Sequence, residues 1–187
     1  QVLARRQIEE NEQRIRLAVE SGRLGTFEKD LLNNTIIFSE RLAVIFGLDP
    51  NKTWTYQDLK NALHPDDVAI RDKAHEIAQQ TGTLFYEARV IWKDGLIHWV
   101  RISGRIPLAD KTTNKMYGTA LDITEEKEAA NKLAAIKEQL VLTLKMVPAA
   151  IQLLNSQGEV LFANDEAARM TGFGSVEEMM KEKDMEY

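Results

Sequence analysis

Three histidines, His64, His75 and His98, and the adjacent carboxylates Asp66 and Asp67 are the side chains best suited to chemistry of their own. Neutral imidazole ligates metals well, but none of these histidines has a companion at metal-ligand spacing. Paired carboxylates do acid–base work when their surroundings push their pKa values apart. Asp66 and Asp67 instead follow Pro65 at an expected helix start, where negative charge meets the positive end of the helix dipole. With no cysteine in 187 residues, disulfides, thiolate metal sites and a cysteine nucleophile are excluded. No triad, Walker loop or glycosidase-like carboxylate pair stands out, so no catalytic residue, no metal ligand and no enzyme are expected here. Trp54, Trp92 and Trp99 offer stacking surfaces, though large aromatics usually belong to a core.

Charge narrows the partners. A net charge of −5 with pI near 5.3, and no basic stripe, speaks against nucleic acid or an anionic membrane surface. No run approaches the roughly 18 apolar residues that span a bilayer, so no direct membrane insertion is expected. A hydrophobic fraction of 44% supports a real core. The chain begins abruptly at Gln1 and stops at Tyr187 in mid-pattern, so a piece of a longer protein is expected, holding one domain and part of another.

The elements that must position these residues centre on a hairpin. Leu84, Tyr86, Ala88, Val90 and Trp92 alternate with Glu87, Arg89 and Lys93, a period-2 pattern with one buried face. Asp94-Gly95 supplies the turn. The return strand sets Val100, Ile102 and Ile106 against Arg101, Ser103 and Arg105, and should end near Pro107, which has no donor for a sheet ladder. A last strand runs from Met116 to Ile123. Upstream, 24–28 and 35–38 are two short strands around the turn Asn33-Asn34, and Ser39 caps a helix that stops at Gly47. Thr55 caps a short helix, and Pro65 opens a longer one to about Gln80 whose core stripe is Ile70, Ala74, Ile77 and Ala78. On that stripe His75 falls at the surface border.

The ordered set Tyr86-Glu87-x-Arg89, Asp94-Gly95, His98-Trp99-Val100, Gly118 and Asp122-Ile123-Thr124, with His64-Pro65-Asp66-Asp67 upstream, resembles a PAS domain. The likeness is to the subclass found in bacterial sensor histidine kinases of two-component systems and in cyclic-di-nucleotide signalling proteins. It implies an α+β fold, a five-stranded antiparallel sheet with helices on one face, flanked here by N-terminal and C-terminal amphipathic helices. It also implies a cavity between sheet and helices that holds a small ligand or is filled by side chains. In haem-binding members the iron ligand lies on the helix that carries His75, but the border position of His75 disfavours haem. The flavin photoreceptor branch needs a cysteine, which is absent, and non-covalent flavin is disfavoured too, so no cofactor is expected. His75-Glu76 mimics the start of a kinase phospho-acceptor box but lacks its context.

The expected organisation is an N-terminal amphipathic helix over 1–20, a PAS domain over 21–124, a connecting signalling helix over 125–147, and the start of a second PAS domain over 148–187. Placing Ser39 on Asn164 puts Gly47 on Gly172, an offset of 125 residues that marks the repeat. Ile8 and Ile15 on the first helix, and Leu133, Ile136 and Leu140 on the connecting helix, fall at coiled-coil spacing and are the expected homodimer interface, the alternative for each helix being to fold against its own domain. Asp122 and Thr124, where the last strand becomes the exit helix, are the expected signal-relay residues. The chain is thus expected to be a cytoplasmic sensory module, or the cytoplasmic part of a membrane-attached sensor. It would relay a small-ligand signal through a helical dimer to an output domain in the same longer chain, a histidine kinase or a diguanylate cyclase or phosphodiesterase. The alternative is a ligand-free scaffold for homodimerisation or partner binding.

Overall fold

The chain divides into two compact units, Gln1–Lys127 and Glu128–Tyr187. The computed structural model describes residues 2–107 and 114–183; the last four residues of the expected closing segment lie outside the described residues.

In the first unit, α1 (Val2–Ser21) leads into β1 (Gly25–Asp30) and β2 (Thr35–Phe38). Three helices follow, α2 (Glu40–Ile45), α3 (Tyr56–Asn61) and α4 (Val68–Thr81), and then the strands β3 (Thr83–Ile91), β4 (Ile97–Arg105) and β5 (Lys115–Asp122). The five strands form one antiparallel sheet in the order β2-β1-β5-β4-β3. The fold is α+β, as expected. In the hairpin Tyr86 pairs with Ile102 and Ala88 with Val100. Alternate strand residues share a face, so Leu84, Tyr86, Ala88 and Val90 enter the core together with Val100 and Ile102. Gly95 takes φ 85° in the turn, and β4 ends two residues before Pro107.

Local rules set the helix ends. Ser39 Oγ accepts from the Leu42 N–H at the start of α2, and Thr55 and Asp58 form a reciprocal capping box on α3. After α2 the chain turns at Gly47 with φ +68°, where a Cβ would also lie 2.5 Å from the Trp92 ring. Gly118 is required sterically: a Cβ there would sit 2.3 Å from the Phe27 ring and 2.5 Å from the Ser103 carbonyl, so only glycine lets β1 carry Phe27 beside β5.

Two expectations for the helix after His64 are corrected. Pro65–Asp67 is a 3-10 turn ahead of α4, and Asp67 is buried (4% exposed). Asp67 accepts from the Arg89 backbone N–H at 2.7 Å and binds the Arg89 guanidinium through Nε at 2.9 Å and Nη2 at 2.6 Å. It pins the turn to β3 rather than serving the helix dipole. The face of α4 is also different. Arg71 and Ala78 are buried and Ala74 packs on the core, whereas Ile70 and Ile77 are about half exposed. Arg71 replaces an aliphatic residue on the inner stripe because its guanidinium finds a carboxylate and an aromatic ring there.

The exit helix α5 (Thr124–Met146) buries none of its side chains. In the second unit β6 (Gln152–Leu154) pairs with β7 (Val160–Ala163), followed by α6 (Asp165–Met170) and α7 (Val176–Lys183). Ala163, Ala167, Ala168 and Met179 form its small core. Its opening repeats the first unit's hydrogen bonds. Ser39 Oγ accepts from Thr26 N–H and the Ser39 N–H donates to the Thr26 carbonyl; Asn164 Oδ1 accepts from Ile151 N–H and the Asn164 N–H donates to the Ile151 carbonyl. Gly47 and Gly172 both have positive φ after the matching helices. No helix among the described residues is long and apolar enough to cross a membrane.

Candidate functional site

Between the sheet and α2–α4 lies a cavity of about 40 Å³, room for a few water-sized groups. Apolar walls come from Phe27, Ile36, Leu42, Phe46, Leu84 and Ile102, and polar groups from Lys29, Tyr56, Lys60, Arg71, His75 and Tyr86. The polar set is assembled from four elements, β1, α3, α4 and β3. Lys29 lies on the inward parity of β1, two residues after Phe27, and is 7% exposed. Tyr56 opens α3. Arg71, also 7% exposed, and His75 are one turn apart on the inner face of α4.

The geometry fixes several roles. Lys29 Nζ stands 3.5 Å from the centre of the Tyr56 ring, and the Arg71 guanidinium carbon is 4.9 Å from it, so two cations meet one aromatic ring. Arg71 Nη1 pairs with Asp72, which also takes Lys60 Nζ at 3.3 Å. His75 Nδ1 lies 3.0 Å from the Arg71 carbonyl, which can only accept, so Nδ1 carries the proton. Nε2 then accepts from the Tyr56 hydroxyl at 3.3 Å. This corrects the surface placement of His75: it faces the cavity, because the inner stripe of α4 runs through 71, 74, 75 and 78. Burial, reinforced by the Arg71 charge, lowers its pKa to about 4. Burial and then Arg71 also lower Lys29 to about 8, and burial raises Tyr86 to about 12. Each shift favours the neutral form of its group.

The opposite face of the same strands meets the exit helix. Glu87, next in sequence to the cavity-lining Tyr86, pairs with Arg101 at 2.8 Å and Lys127 at 2.7 Å. Arg101 continues to Glu126 at 2.9 Å. Lys127 and Arg101 hold the Glu87 carboxyl below the usual carboxylate range. Asp122 and Thr124 lie within this junction. Thr124 Oγ1 accepts from the Trp99 N–H at 2.9 Å and donates to Asp122 Oδ1 at 2.5 Å. Asp122 Oδ1 also accepts the Thr124 N–H at 2.9 Å, so Asp122 caps α5 while Thr124 joins it to β4. His98 Nδ1 sits 3.4 Å from Asp122 Oδ2, and its ring stacks on Trp92 at 3.6 Å.

The structure brings Asp122 and Thr124 together with His98 and Trp99. It leaves Ile8, Ile15, Leu133, Ile136 and Leu140 exposed on α1 and α5. Sequence reasoning missed the cavity's polar set. The available signals were Lys29 on the parity of Phe27, and Arg71 three and four residues before Ala74 and His75.

Residues 35–120 match the family model described as PAS fold. With the five-stranded sheet and its helices, this gives the first unit the PAS fold. The chain is similar to the probable diguanylate cyclase DgcE of Escherichia coli (strain K12), 26% identical over 162 residues that cover 86% of this chain and 15% of that protein. It is also similar to the sensor protein FixL of Bradyrhizobium diazoefficiens, 23% identical over 164 residues, 87% of this chain and 32% of that protein. The chain thus spans under a third of each of these curated relatives. Among solved structures, a sensory box histidine kinase/response regulator from Burkholderia thailandensis E264 superposes with TM-score 0.58 at 22% identity, covering 68% of this chain and 97% of that one.

Proposed function

We propose that this chain is a ligand-sensing PAS module that relays through its exit helix as a homodimer to an output domain in the same longer, cytoplasmic chain. The observation that carries the reading is the adjacency of Tyr86 and Glu87. One lines the cavity, and the next, on the other face of β3, holds Lys127 in the first turn of α5. A ligand that displaces Tyr86 therefore perturbs the ion pairs that seat the helix, with Asp122 and Thr124 as the relay residues. The heptad spacing of Leu133 and Leu140, with Ile136 between them, supports a second copy of α5 as the partner of this exposed stripe. Similarity to a sensor protein and to a probable diguanylate cyclase supports an output domain of one of those kinds. The hydrogen bonds repeated at Asn164 support residues 148–187 as the start of a second PAS domain. The small cavity favours one competing reading, a scaffold whose core is filled by side chains. Denaturing the purified protein, identifying released small molecules by mass spectrometry, and scanning thermal shifts over a metabolite panel tests between them. A released or stabilising small molecule is expected; an empty protein with no shift against any compound leaves the scaffold.

A further inference from the structure

Resting on that reading of the cavity, we propose that its ligand is a small carboxylate with a short apolar chain, its anionic end held by Lys29 and Arg71 beside Tyr56. Three cations, Lys29, Lys60 and Arg71, line the space, and among the described residues no acidic one does. One carboxylate, Asp72, stands near them, and it is already shared by Arg71 and Lys60. Lys29 makes no ion pair and no side-chain hydrogen bond among the described residues; its contact is the Tyr56 ring. The Lys29 side chain is largely removed from water, and its ammonium faces an aromatic ring instead of an anion. Burial lowers Lys29 to about 8 with no carboxylate acting to raise it. An incoming carboxylate supplies the missing charge.

Shape narrows the class. Away from Lys29, Arg71 and Tyr56 the wall is mostly apolar, with Phe27, Leu42, Phe46 and Leu84 beside the rings of His75 and Tyr86. The volume of about 40 Å³ suits a few heavy atoms. Propionate or pyruvate fits both the charge and the apolar wall. Phosphate, with no apolar part, satisfies the charge only.

The test uses the full 187-residue chain titrated at constant ionic strength with sodium propionate, sodium pyruvate, sodium phosphate and neutral propionamide, read by melting temperature and by amide NMR shifts. At least one of the two carboxylates should bind saturably, with phosphate and propionamide weaker. Lys29→Met should melt higher than the parent in the absence of additive, since it removes the unpaired charge, and should weaken carboxylate binding about tenfold or more. That pairing separates ligand binding from a purely structural lysine, whose loss would lower stability. Arg71→Gln provides a second variant with the same expected loss of binding. Carboxylate binding unaltered in both variants, or propionamide or phosphate binding as well as the carboxylates, overturns the inference. A neutral metabolite that binds where no carboxylate does overturns it while leaving the sensing reading intact. Silence across all four compounds and the wider panel removes both.

Discussion

At the residue scale, the pair of Asp67 and Arg89 shows how one buried charge fixes chain geometry. Asp67 takes three hydrogen bonds from Arg89, so its removal leaves a half-buried guanidinium and a strand N–H without their acceptor. Asp67→Ala should lower unfolding free energy by about 3 kcal/mol in urea titration. The Arg89 contacts hold Asp67 below the usual carboxylate range. Its stabilisation is therefore present above the unfolded carboxylate pKa and is lost as pH falls through the depressed folded one. His75 gives an acid effect in a different window. With its pKa lowered from 6.5 to about 4, the unfolded chain takes up a proton between these values that the folded chain refuses. Stability should fall as pH drops from 6.5 to 4, and His75→Gln should flatten that slope; an NMR titration of the His75 ring should show a midpoint near 4. None of these partners was visible in the sequence. The motif His64-Pro65-Asp66-Asp67 was, but a helix-start reading accounts for both aspartates equally, and only the arrival of β3 separates them.

At the element scale, α5 is the least self-sufficient part. A helix of 23 residues with no buried side chain has little tertiary packing to hold it. Its order comes from the junction with the sheet at Glu126 and Lys127 and from any partner along Leu133, Ile136 and Leu140. Leu140→Lys should raise the dimer dissociation constant about tenfold or more in sedimentation, while the melting of the PAS domain changes by less than about 0.5 kcal/mol. An unaltered dimer at micromolar concentration counts against α5 as the interface. The helix α4 teaches the opposite lesson about stripes. Its aliphatic residues Ile70 and Ile77 pointed to one face, and the protein buries a neighbouring one. Periodicity places a stripe to within one or two residues of arc, and small Ala74 and Ala78 beside Arg71 left two solutions open.

At the scale of the whole chain, the two units open alike but are held differently. Ser39 satisfies its neighbours with a hydroxyl. Asn164 uses a fully buried amide whose Nδ2 reaches the carbonyls of Leu144, Val147 and Ala149. Asn164→Ala leaves several of these groups unpaired and should cost the second unit about 2 kcal/mol or more. Hydrogen exchange should then rise across β6, β7 and α6 with the first unit unaffected. The reverse result, loosening of the five-stranded sheet, would mean the two units melt as one.

The sequence by itself determined the α+β class, the hairpin with the inward parity of its strands, and the helix caps at Ser39 and Thr55. All of these rest on local patterns: alternation, turn glycines and caps act over a few residues. Tertiary structure alone decided which carboxylate meets Arg89, which face of α4 turns inward, and that Lys29, Arg71, His75 and Tyr56 share one cavity. Those residues come from separate elements, and no short-range rule brings them together. What unites them is the pairing of β1 with β5, which carries Lys29 into the sheet beneath α3 and α4.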